Sequence, residues 1–217
     1  LLYLYATCKV NNHFSMNMEN IDRKLASELL RIKAVLLRPD EPFTWASGWH
    51  SPIYCDNRRI LSDPELRSKV AGWLAETAVR ECPEADIVAG VATGAIAHGV
   101  LAADRMKPKD HGTGSQIEGA LPKGSKVVVI EDLISTGMSS LAAVKALRDA
   151  GAEVLGMVAI FTYGFDLAAR RFEEEGVRLK TLSCYDALIE EATATGYVKE
   201  SDVEVLRQWR NNPSEWN

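Results

Sequence analysis

Three apolar runs restrict the fold more than any other feature. "ADIVAGV", "KVVVIED" and "EVLGMVAIF" are apolar at consecutive positions, not at alternating ones. A strand wetted on one face alternates polar and apolar residues, whereas a strand covered on both faces does not. A shorter fourth run, "LKTLSCY", follows the same order. Between them lie segments of helical period: "AIAHGVLAAD", a segment with Leu141, Val144 and Leu147 on one face, and "DLAARRFEEEG". Strands alternating with helices specify an α/β fold, a Rossmann-like parallel sheet flanked by helices. Gly151 stands where a C-cap glycine ends the second of these helices.

Both ends of the chain depart from this alternation. Ile21, Leu25, Leu29, Ile32 and Leu36 recur at helical spacing. The stretch "RPDEPFTWASGWHSPIYCDNRR" then reads as extended strand and turn. Asp63-Pro64 offers an N-cap and a first-turn proline for a helix carrying Leu66, Val70, Trp73, Leu74 and Ala78. Two short helices end the chain, the second opening on a capping box of Ser201 with Glu204. The expected organisation is therefore a hood segment over residues 18–60, an α/β core over 61–185, and C-terminal helices over 186–217 that pack with the hood. Residues 1–17, with the apolar patch "LLYLYA", are expected to stand outside the fold, ahead of a start at Met16 or Met18. That patch is too short to span a bilayer and lacks a basic leader.

Net charge is −5, with acids and bases interspersed, which argues against a nucleic-acid-coating surface. Cys8, Cys55, Cys82 and Cys184 form no CxxC pair, so neither a zinc site nor a disulfide framework is signalled. A reducing cytoplasm is the simplest compartment.

Chemistry concentrates in "KVVVIEDLISTGMSS", from Lys126 to Ser140. Ligands of open α/β sheets bind at the carboxyl ends of the strands. Glu131 and Asp132 stand there. The next residues, Leu133, Ile134, Ser135, Thr136, Gly137, Met138 and Ser139, lead into a helix whose first N–H groups are unpaired and favour an anion. Hydroxyls add donors, and Gly137 allows close backbone approach. A phosphate nest beside two carboxylates suits a ligand with a phosphate and a diol, such as a sugar phosphate. The acids would meet ribose hydroxyls directly or through Mg²⁺. Taken alone, the acid pair is equally an N-cap cluster with solvated acids. No GxxxxGK[ST] occurs, so this is not a Walker loop.

"VVVIEDLISTG" resembles the phosphoribosyl pyrophosphate (PRPP) motif of the type I phosphoribosyltransferases. With "FTWASGWHSPIYCDNR", "AGVATGAIAHG", "KPKDHG", "QIEG", "FTYGF" and "LRQWRNNPSEW", the chain from about Glu19 onward resembles the orotate phosphoribosyltransferase family. The resemblance implies ribose binding by Glu131 and Asp132, 5-phosphate binding by residues 133–139, and contact of Ser135 with orotate. It implies a pyrophosphate loop at Thr93 and Gly94, a segment that by itself reads equally as a plain strand-to-helix turn. It implies that "KPKDHGTG", otherwise a solvated basic loop, is a lid whose Lys109 and His111, with Lys107 nearby, stabilise leaving pyrophosphate. Asp132, Lys109 and His111 are then the catalytic candidates. Mg²⁺ is the implied cofactor, PRPP and orotate the implied substrates, and a homodimer with shared active sites the implied assembly. The implied reaction yields orotidine 5′-phosphate and pyrophosphate, in pyrimidine biosynthesis.

Three departures from the family pattern stand out. Position 138 is often glycine in relatives and is Met here. Some relatives carry a PRPP-contacting lysine at the place of Ala46. Relatives also insert an apolar strand ending in arginine before the lid, whereas here "AADRM" runs directly into "KPKDHG". The rival expectations are a PRPP-binding protein without catalysis and a phosphoribosyltransferase for another base.

Overall fold

The computed structural model describes residues 2–6 (backbone only), 18, 20–45, 47–106 and 121–216. Its centre is a five-stranded sheet in the order β1-β6-β7-β8-β9. These strands are β1 (Leu2–Ala6), β6 (Ile87–Val91), β7 (Lys126–Ile134), β8 (Glu153–Thr162) and β9 (Leu179–Cys184). The last four run parallel in sequence order. The apolar runs behave as their composition requires: Val127, Val128, Val129 and Ile130 are fully buried, as are Val158 to Phe161. Residues with no wetted face have no reason to alternate.

Helices α3 (Ile96–Met106), α4 (Met138–Asp149) and α5 (Asp166–Glu174) lie between successive strands of this parallel set, and α2 (Pro64–Glu81) precedes it. Helix α2 packs on α3 and against β8 and β9, while α4 packs against β7 and β8. Asp63 caps α2 by accepting the Leu66 N–H at 3.0 Å, and Pro64 opens it, where its missing N–H costs nothing. Gly151 (φ +89°) follows the C-cap of α4 in the left-handed conformation that glycine adopts without strain.

Leu2–Ala6 correct the expectation that residues 1–17 stand outside the fold. They pair antiparallel with β6, from Leu2 opposite Val91 to Ala6 opposite Ile87. The physical reason lies in the topology. Every parallel crossover in the described chain steps away from β6 towards β9, so the outer edge of β6 has no crossover strand. An uncovered edge presents unpaired N–H and C=O groups. "LYLYA" is a strand former of the right length to satisfy them.

The hood is built from α1 (Ile21–Arg31) and two short ribbons, β2 (Val35–Leu37) with β5 (Ile53–Cys55) and β3 (Phe43–Thr44) with β4 (His50–Ser51). Helix α1 ends five residues before Leu36, which lies in β2, because Lys33 turns the chain at φ +58°. Helix α6 (Tyr185–Ala194) packs on α1, and α7 (Val203–Asn211) closes the chain. Trp209 of α7 is fully buried, and its indole N–H donates to the His50 carbonyl at 3.2 Å. It meets Trp45, Tyr163, Phe165 and Tyr185 with ring centroids 5.4–5.7 Å apart. One aromatic cluster thus ties hood, sheet and tail together. The anticipated Ser201–Glu204 capping box does not form. A 3-10 turn over Glu200–Asp202 precedes α7, Asp202 accepts the Lys199 N–H, and Glu204 instead accepts from Gln208 at 3.0 Å.

Candidate functional site

A cleft of about 380 Å³ opens at the carboxyl ends of β6 and β7. Three sequence-distant pieces form it: Thr93 and Gly94 after β6, residues between Glu131 and Ser139 at the end of β7 and the start of α4, and Cys55, Asp56 and Arg58 from the hood. The two acids differ in environment. Glu131 is only 4% exposed and is held by two donors, the Ser140 hydroxyl and the Asp132 N–H, both at 2.9 Å. Burial, and secondarily the neighbouring Asp132, raise its pKa to about 8. Burial therefore favours the uncharged form of Glu131 in the free protein. A protonated Glu131 carboxyl can donate as well as accept. Asp132 is half-buried beside it.

The turn after the acids has the geometry of an anion nest. Gly137 adopts φ +79° and opens α4, whose first N–H groups have no partner within the helix. A Cβ at Gly137 would sit 3.0 Å from the Phe172 ring, so the position is constrained both by conformation and by space. Arg171 pins the turn from α5 by donating to the Thr136 carbonyl at 2.9 Å. Ser135, Thr136, Gly137, Ser139 and Leu133 line the cleft. Ile134 and Met138 do not. Ile134 is a fully buried core residue, and Met138 is 65% exposed on the first turn of α4. Methionine is accommodated at 138 because the left-handed position is 137 and the side chain of 138 points into solvent.

The loop after β6 approaches the acids closely. The Ala92–Thr93 peptide is cis. A Cβ on Gly94 would lie 2.1 Å from Asp132 Oδ2, so only glycine lets this loop meet the carboxylate as it stands. Lys107, Lys109 and His111 lie outside the described residues, as does Ala46.

Comparison with known proteins decides the family. No family model matches the chain. The orotate phosphoribosyltransferase of Porphyromonas gingivalis is 51% identical over 92% of this chain and 99% of its own length. The chain belongs to the orotate phosphoribosyltransferase family. Solved members of that family share its architecture. The enzyme of Aeropyrum pernix superposes with a TM-score of 0.66 at 29% identity, covering 81% of this chain and 99% of its own. The Mycobacterium tuberculosis enzyme in complex with PRPP gives 0.58 at 26% identity, covering 77% and 98%.

In and behind this orotate phosphoribosyltransferase cleft, several further residues hold the site together. Asn57 is buried and donates from Nδ2 to the Asp132 carbonyl at 2.6 Å, locking the hood to the end of β7. Removing that donor would strand a carbonyl at a cost of about 1–3 kcal/mol. His98 is buried in α3 near Asp132, and burial lowers its pKa. Its Nε2 has no partner among the described residues. The Cys55 thiol donates to Asn57 Oδ1 at 3.5 Å, and burial pushes its pKa up, so it remains a protonated wall residue, not a nucleophile. In the sequence, the one signal for Cys55 and Asn57 was "CDNRR" itself, a polar cluster directly after a short strand.

Proposed function

We propose how this cleft divides the work of the family's reaction, in which the 5-phosphoribosyl group passes from PRPP to orotate, giving orotidine 5′-phosphate and pyrophosphate. The observation that carries the proposal is the meeting, in one cleft, of the acid pair, the nest at residues 135–139 and the loop at 93–94. The unpaired amides of α4, with the hydroxyls of Ser135, Thr136 and Ser139, take the 5-phosphate. Asp132 accepts from a ribose hydroxyl, and Glu131 supplies the second contact. The amides of Thr93 and Gly94 face the diphosphate. Ser135, at the start of the nest, contacts the base.

In the reaction the bond from the anomeric carbon to diphosphate oxygen breaks, and the electron pair leaves with pyrophosphate. N1 of orotate supplies the pair for the new carbon–nitrogen bond and gives up its proton. Positive charge develops on the ribose in between, and the Asp132 carboxylate stabilises it. No protein nucleophile is required. Lys107, Lys109 and His111 are proposed to neutralise the leaving group from the lid.

Among the described residues, no group of three or more His, Cys, Asp or Glu side chains is placed to cage a metal. The acids in the cleft offer oxygen donors only, which fits Mg²⁺ carried mainly by the substrate diphosphate, with Asp132 as the protein ligand. When bound, Mg²⁺ neutralises diphosphate charge.

The same reading extends to a cytoplasmic homodimer whose lids complete neighbouring sites, supported by the family resemblance. No helix among the described residues is long and apolar enough to cross a membrane. The test of the site assignment is acid dependence with base choice. Asp132→Asn should lower kcat/KM by at least about 100-fold. The wild type should consume orotate and leave adenine and hypoxanthine untouched. Equal turnover of the variant, or turnover of a purine, would reject the assignment.

A further inference from the structure

Orotate differs from most nucleobases in carrying a carboxylate, and the cleft it must enter is acidic. Asp56, Glu131 and Asp132 all line it. Arg58 is the one cationic side chain among the described residues that lines it with them. It comes from neither phosphate-binding loop. It belongs to the hood, in the 3-10 turn Asn57–Ser62 directly after β5, whose neighbouring Cys55 and Asp56 also line the cleft.

The guanidinium is fixed before any substrate arrives. Nε donates to Asp56 Oδ1 at 2.7 Å and Nη2 to Asp56 Oδ2 at 3.0 Å, a two-point fork that sets the plane of the group. Asp56 is itself held by the Arg58 backbone N–H at 3.2 Å. The fork uses one N–H edge of the guanidinium, and Nη1 makes no hydrogen bond among the described residues. The side chain remains 60% exposed. An arginine already neutralised on one edge can still engage a second carboxylate in plane with the other, which a lysine cannot reproduce. The turn that carries it is anchored to the reacting end of β7 through Asn57 and the Asp132 carbonyl.

We propose that Arg58 is the specificity residue that receives the carboxylate of orotate, with Asp56 as its positioning partner. The proposal rests on the functional reading above and adds the group that distinguishes an anionic base from a neutral one. The two phosphate loops already supply backbone amides for the phosphate and diphosphate. The hood wall is what remains for the base, and Arg58 is the charge that wall provides.

The test is steady-state kinetics of Arg58→Gln and Arg58→Lys with orotate and PRPP varied separately, and with uracil as the base lacking the carboxylate. Arg58→Gln should raise KM for orotate by about 10- to 100-fold, leave KM for PRPP within about threefold, and shrink the preference for orotate over uracil. Arg58→Lys should recover only part of the loss. A rise in KM for PRPP with orotate unaffected would overturn the proposal and assign Arg58 to the diphosphate. No change in either constant would overturn it equally. Calorimetric binding of orotate in the presence of pyrophosphate, measured on wild type and both variants, keeps the proposal separate from the functional reading. Wild type that binds orotate through Arg58 but does not turn over would sink the reading and leave the proposal standing. Loss of fold in Arg58→Gln would show in its melting curve, and Arg58→Lys then carries the test.

Discussion

Replacing Gly94 with alanine tests the construction of the site at its tightest point. The added Cβ would sit 2.1, 2.3 and 2.5 Å from Oδ2, Cγ and Oδ1 of Asp132. Ordinary contact begins at 3.4 Å, so Oδ2 must retreat by about 1.3 Å. The side chain is short and its backbone is held by Asn57 at the carbonyl, so the carboxylate has to swing as a unit. A displacement near 1 Å at a reacting group costs on the order of 100-fold in rate, or about 2.7 kcal/mol of transition-state stabilisation. Stability should barely change. Gly94 has no left-handed φ, and alanine there restricts the unfolded chain, worth about 0.4–1 kcal/mol in favour of folding. The backbone amide of residue 94, proposed to face the diphosphate, is retained. Gly94→Ala should therefore show a kcat/KM about 100-fold below wild type in an orotate absorbance assay, with a melting temperature within a few degrees. A kcat/KM within threefold of wild type, with the fold intact, would refute the argument that this loop is moulded to Asp132.

The buried Glu131 carries a pH signature. Its folded pKa lies at about 8, above the ordinary value of 4.5, so the stabilisation it gives as a neutral acid is full below 4.5 and is lost as pH rises through 8. Wild type should lose melting temperature relative to Glu131→Gln between pH 5 and 9; a constant difference would contradict the assignment. Trp209→Ala should cost about 3–5 kcal/mol in urea unfolding, since the indole is fully buried at the junction of hood, sheet and tail; a loss below 1 kcal/mol would show that the cluster is not a structural anchor. Removing residues 1–10 should uncover the β6 edge, cost about 2–4 kcal/mol in lost ladder bonds, and raise light scattering on heating. Unchanged stability and scattering would show that the Leu2–Ala6 pairing contributes nothing.

Most of the core was legible because its signals are local. Val127 to Ile130 announce a strand covered on both sides, and Gly137 announces a turn that only a left-handed residue completes. Asp63-Pro64 and Gly151 fixed helix ends through backbone chemistry that needs no distant partner. The failures are non-local. "LYLYA" is a competent strand former, but its place beside β6 depends on which edge the crossovers leave open. Leu36 fits the period of α1, yet the helix stops earlier because Lys33 takes a left-handed turn. Ser201 and Glu204 have the spacing of a capping box, but the Ser201 hydroxyl donates to Asp202 and the Glu204 carboxylate accepts from Gln208 instead. At the site, the acids, Thr93, Gly94 and the nest residues were read from pattern and resemblance and are brought together. Asn57 and Arg171 were not singled out because they act across 75 and 35 residues of chain, and Arg58 was not because only the fold carries its turn to the cleft.

This chain, in whose sequence Met106 is followed directly by "KPKDHG", is expected to perform its family's reaction. The most direct test is PRPP-dependent consumption of orotate, with Mg²⁺ present, by purified protein whose intact mass matches the 217-residue sequence. Turnover is expected, with orotidine 5′-phosphate and pyrophosphate formed in equal amounts. Protein of that mass that binds PRPP and leaves orotate unchanged would contradict it.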